Sequence, residues 1–139
     1  MRVLVGFCLL TCAATTALAA RPKSILLQHI DIWEKSTEGG EGKLYRATQA
    51  ALAPCRIDVL LYGEMGKTGW TFMFGPRLLT ATRTDYHYNR PFYMKAGGRV
   101  TSTVSVTLRT AEERKQLQAD FLEFKALFDP RKLTECEKN

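Results

Sequence analysis

Few residues in this chain could do acid–base or covalent chemistry. Glu34, Glu38, Glu41 and Glu64 lie on or beside glycine-rich turns. Two carboxylates that flank one glycosidic bond can hydrolyse it, one as acid and the other as base or nucleophile. Glu38 and Glu64 are the pair that would serve. Nothing in their chain positions brings them together, and a Glu beside Gly in a turn is ordinarily solvated. Nucleophile arrangements are poorer still. There is no Gly-x-Ser-x-Gly elbow. His29 and His87 are the only histidines, and a strand would turn His87 away from its neighbours Tyr86 and Tyr88. Gly63 to Gly69 contains Lys67 but lacks the spacing of a phosphate-binding loop, so it reads as a hairpin. Two Cys and two His without ligand-like spacing make no zinc site. No catalytic residue, metal or cofactor is therefore expected, with Glu38 and Glu64 kept as the alternative acid–base pair.

Charge and aromatic residues point to binding instead. The chain has 139 residues with 20 Lys+Arg, 14 Asp+Glu and a formal net charge of +6. Ala20 to Glu64 carries as many basic as acidic residues, and Thr110 to Asn139 has one more acidic than basic. Between them, Lys67, Arg77, Arg83, Arg90, Lys95, Arg99 and Arg109 face a single acid, Asp85. The same stretch holds Trp70, Tyr86, Tyr88 and Tyr93. Basic groups interleaved with aromatics can hold an anionic partner. Lys and Arg on strands also keep sheet edges from pairing with other chains. The binding candidates are Trp70, Arg83, Tyr86, Tyr88, Arg90, Tyr93 and Arg99.

The N-terminus reads as an address. Arg2 precedes an apolar run from Val3 to Ala14, and Ala17-Leu18-Ala19 has small residues where a signal peptidase requires them. The expected organisation is a signal peptide over residues 1–19, cleaved after Ala19, followed by one domain over residues 20–139. A periplasmic or secreted location follows. Lipidation at Cys12 is disfavoured by the Thr before it. The apolar run is too short for a membrane span, so no transmembrane segment is expected in the mature chain. Removing the signal leaves Cys55 and Cys136, which in an exported protein read as one disulfide. Nucleic acid is not an expected partner, because the chain has no recognised binding motif.

The elements that must position these residues follow from periodicity. Val100 to Leu108 alternates Val, Ser and Leu with Thr and Ser, the pattern of a strand with one wet face. Ala96-Gly97-Gly98 could turn that strand back onto Pro91 to Lys95. Ile57, Val59 and Leu61 alternate, as do Trp70, Phe72 and Phe74, and Leu78 to Tyr88 reads as a further strand. Leu117, Phe121, Phe124 and Phe128 make one helical stripe over Ala111 to Phe128. Thr110 and Glu113 supply a capping box, and Asp129-Pro130 should end the helix. Ile25 to Ala53 is ambiguous by pattern.

Three phrases recur in a known combination: Ser36-Thr37-Glu38-Gly39-Gly40-Glu41, Tyr62-Gly63-Glu64-Met65-Gly66-Lys67 and Tyr88-Asn89-Arg90-Pro91-Phe92-Tyr93. In this order and spacing the chain resembles a group of small exported bacterial proteins, many of them lipoproteins, that carry no assigned function. The resemblance covers Trp33 to Tyr93. It implies that Leu44 to Tyr62 forms two strands with a turn near Gln49-Ala50, and it brings no activity with it.

The expected fold is α+β: an antiparallel β-meander of about five to seven strands with one C-terminal amphipathic helix packed on it. The expected function is an exported envelope binding protein whose basic-aromatic hairpin surface takes an unknown protein or an anionic envelope component. An inhibitor or immunity-like protein belongs to this class. The alternative is a glycan-acting envelope hydrolase.

Overall fold

The computed structural model describes residues 23–48, 53–94 and 98–137. The proposed signal peptide, Cys12, Gln49-Ala50 and Lys95 to Gly97 lie outside them. Six strands run β1 Ser24–Asp31, β2 Gly40–Ala47, β3 Cys55–Gly63, β4 Gly66–Phe74, β5 Leu78–Tyr88 and β6 Val100–Thr107. They form one antiparallel sheet in chain order, a pure meander. Two helices follow, α1 Ala111–Lys125 and α2 Pro130–Glu137. The ambiguous region resolves as β1 and β2.

Register explains which residues share a face. Cys55, Ile57 and Val59 stand opposite Phe74, Phe72 and Trp70, and Leu44 stands opposite Ile57. With Ala81 these side chains form one inner face, and Leu44, Ile57, Phe72 and Phe74 are fully buried. Leu117, Phe121, Phe124 and Phe128 of the helical layer cover them. Phe121 packs on Phe72 and Phe74, and Phe124 on Trp70. The outer face is wetter, as a singly covered antiparallel sheet allows. There Arg56 lies over the Tyr45 ring at 4.5 Å, and Thr71 Oγ1 donates to Asp58 at 3.1 Å.

The capping box forms as expected: Glu113 N–H donates to Thr110 Oγ1, and Thr110 N–H donates to the Glu113 carboxylate. Two expectations need correction. First, Val100 to Thr107 pairs with β5 rather than with Pro91 to Lys95. Eleven residues separate β5 from β6, and among the described ones Asn89 N–H donates to Arg99 O. Second, α1 ends at Lys125, short of the expected Phe128, and Asp129-Pro130 begins a second helix instead of closing the first. Asp129 Oδ1 accepts from Arg131 N–H at 2.9 Å, and Pro130 occupies the first helical position, where a missing N–H has no cost. Helix α2 brings Cys136 to Cys55, and the two are bonded. Among the described residues, no helix is long and apolar enough to cross a membrane.

Candidate functional site

In a meander every second turn falls at the same end of the sheet, so the β1–β2, β3–β4 and β5–β6 turns are neighbours. Their backbones interlock. Tyr62 N–H donates to Gly39 O at 2.9 Å, and the Ser36 hydroxyl donates to Tyr62 O. Tyr88 N–H donates to Met65 O at 2.8 Å, and Phe92 N–H to Glu64 O at 3.2 Å. The three recurring sequence phrases are thus the three strips of this end. Gly39 has φ +74°, in the left-handed region, and the Trp33 ring lies directly over it. Gly66 allows the β3–β4 hairpin to close against β5, because a Cβ there would collide with the Tyr86 carbonyl oxygen.

Below these turns, on the inner face, α1 leaves part of the sheet bare. A groove of about 600 Å³ remains, bordered by Leu61, Thr68, Trp70, Arg83, Asp85 and Val104, with Lys35, Lys67 and His87 at its margin. Val104, on the edge strand, is 54% exposed. Two of its border residues are tied to α1: Trp70 Nε1 donates to Asp120 Oδ2 at 3.0 Å, and Lys35 is paired with Glu123. Arg83 is opposite Trp70 in the ladder, with its guanidinium 5.8 Å from the indole centroid. Asp85 fixes Arg83 through contacts from Nε and Nη2 at 3.3 Å, and Thr68 Oγ1 donates to the same carboxylate at 2.8 Å. Arg83 Nη1 donates to no partner among the described residues.

The structure sorts the expected site residues into groups. Trp70 and Arg83 come together in the groove. Tyr86 lies on the outer face, under Lys67, whose Nζ is 5.1 Å from the ring centroid. Tyr88 borders a smaller pocket with Glu38, Tyr62, Gly63 and Phe92. Arg90 and Arg99 are exposed on the β5–β6 loop, and Arg99 N–H donates to Asn89 Oδ1. Tyr93 donates its hydroxyl proton to Glu64 at 2.5 Å. That hydrogen bond pushes the phenol above its ordinary range, and the negative charges of Glu64 and Glu38 act the same way. Glu38 and Glu64 therefore reach the same end of the sheet, but both are exposed and Glu64 is engaged by Tyr93. Arg77 and Arg109 stand at the opposite end, beyond the start of β5 and the end of β6. Asp120, Asp85 and Lys35 were not singled out by the sequence reading. Asp120 had a usable signal: it falls on the apolar stripe, three residues after Leu117 and four before Phe124.

No family model, no curated protein and no solved structure matches this chain, so the geometry of this end of the sheet carries the functional argument.

Proposed function

We propose that the protein is an exported, non-enzymatic binding protein, and that the groove over Trp70 and Arg83 receives an anionic group of its partner. The observation that supports this reading most is the pre-set guanidinium of Arg83. It is oriented by Asp85, it lies beside an aromatic ring, and it has donors left over. An Arg held this way loses little conformational freedom when it binds a carboxylate or phosphate. Arg83 and Lys35 bring positive charge to the groove's border, with Asp85 and Glu123 as their partners. Trp and Arg are also the residue types that dominate protein interfaces. The groove's volume is within the usual range for a bound group. An extracytoplasmic location fits the Cys55–Cys136 bond, which persists in oxidising compartments.

The test is affinity capture from periplasmic extract with the immobilised mature chain. Lys35→Glu combined with Arg83→Glu should lose the captured partner. Arg77→Glu combined with Arg109→Glu removes equal charge at the other end and should keep it. Equal capture by all three proteins would refute the groove as the binding surface.

A further inference from the structure

We infer that the pocket among the three interlocked turns binds a quaternary ammonium cation. This site adjoins the groove, with which it shares Tyr62 and Gly63, but its border carries a carboxylate and no basic residue. Its volume is about 280 Å³, and it is bordered by Tyr62, Tyr88 and Phe92 with Gly63 and the Glu38 carboxylate. Three aromatic residues and one carboxylate, with no basic residue on the border, form the chemical complement of a cation. Tyr62 and Phe92 are large aromatics left 39% and 46% exposed, so their surfaces are open to a ligand.

The positions are built rather than accidental. Tyr62 is held by its N–H bond to Gly39 O, and Phe92 by its N–H bond to Glu64 O. Gly98 lets the β5–β6 loop lie against Tyr88, because a Cβ there would stand 2.9 Å from the Tyr88 side chain. The outer face already uses the same interaction internally, with Lys67 over Tyr86 and Arg56 over Tyr45.

Ligand class follows from the acceptors. A primary ammonium has three donors to satisfy. The border offers one carboxylate, since Glu64 beside it accepts from Tyr93. A quaternary ammonium has no N–H donors and is weakly hydrated, and aromatic faces attract it through their quadrupoles. Glu38 then supplies the counter-charge without needing a directional bond.

The experiment is a titration of the mature protein with choline, followed by the ring resonances of Phe92, Tyr62 and Tyr88. The control ligand is the neutral tert-butyl analogue of choline, which has the same shape and no charge. Choline should shift these rings saturably, with the neutral analogue at least about tenfold weaker. Phe92→Ala and Glu38→Gln, both at exposed positions, should each weaken choline by about tenfold. Arg77→Glu, at the opposite end of the sheet, should leave it unchanged. Co-sedimentation with phosphatidylcholine vesicles adds a second arm. Vesicle binding would assign the cation to a lipid headgroup, and choline binding without it would assign a free cation. Equal binding of choline and its neutral analogue, or no saturable shift of these rings, would overturn the proposal.

Discussion

Trp70 donates its indole N–H to Asp120 at 3.0 Å, and this bond joins the centre of the sheet to the middle of α1. Asp120 is the one charged residue recorded as buried among the described residues, at 9% exposure. Its second partner is Gln116, whose Nε2 donates to Oδ1 at 2.8 Å. A buried carboxylate is tolerated only when its oxygens are hydrogen-bonded. The same contact holds the Trp70 ring against Phe124 and so shapes the floor of the groove.

Trp70→Phe should therefore destabilise by more than its lost surface. The ring still packs, but one Asp120 oxygen loses its donor, at a cost of about 1–3 kcal/mol. Asp120→Asn keeps an acceptor and should cost less. Urea unfolding of both variants decides the order, and an equal or larger loss for Asp120→Asn would contradict it.

Two glycines in one hairpin should respond differently to alanine. At Gly63 an added Cβ meets its nearest neighbour at 3.5 Å, an ordinary contact. At Gly66 it would meet the Tyr86 carbonyl oxygen, a backbone atom that cannot rotate away. Gly66→Ala should lower the thermal midpoint far more than Gly63→Ala and disturb the amide signals of Tyr86 and His87. Similar midpoints for the two would show that β5 yields.

The Cys55–Cys136 bond spans a sequence separation of 81 residues. Closing a loop of that length removes unfolded-state entropy worth about 4 kcal/mol. Reduction should lower stability by about that amount, and α2, tied to the sheet there, should lose hydrogen-exchange protection first. Reduction that leaves stability unchanged would contradict this account.

Acid should act through three partly exposed carboxylates. Lys43 holds Glu41 below its ordinary value of 4.5, the Thr110 backbone N–H does the same for Glu113, and Arg131 holds Asp129 below 3.8. A group whose folded value is depressed contributes stability that is complete above its unfolded value. That contribution is lost as pH falls through the folded value. The thermal midpoint should be steady from neutrality to about pH 5 and decline below about pH 4. Glu113→Gln should flatten the acid limb, and a decline completed above pH 5 would contradict the assignment.

Much of the fold was legible because its signals are local. Alternation of Ile57, Val59 and Leu61, and of Trp70, Phe72 and Phe74, required strands. The capping box of Thr110 and Glu113 marked the start of α1. Helix α2 was missed because Asp-Pro is both a stop and a start signal, and only the Cys55 bond shows why a second helix is useful there. The pairing of β6 with β5 spans eleven intervening residues, and no local pattern dictates it.

The site was legible in part. A meander places the turns at 36–41, 63–66 and 88–93 at one end, so their convergence follows from strand count alone. The groove does not, because it depends on where α1 docks, and no local pattern places Phe121 on Phe72 and Phe74 or Phe124 on Trp70. Alternation along β5 puts Arg83 and Asp85 on one side and Tyr86 on the other. Which side the helix covers, and that Arg83 stands opposite Trp70 and Asp85 opposite Thr68, requires the register.

The most direct measurement is side-by-side capture from periplasmic extract by the mature protein, its Lys35→Glu/Arg83→Glu variant and its Arg77→Glu/Arg109→Glu variant. The groove account predicts that the first and third retain the same partner while the second loses it. Retention of that partner by the groove variant, or capture of nothing specific by any of the three, would contradict it.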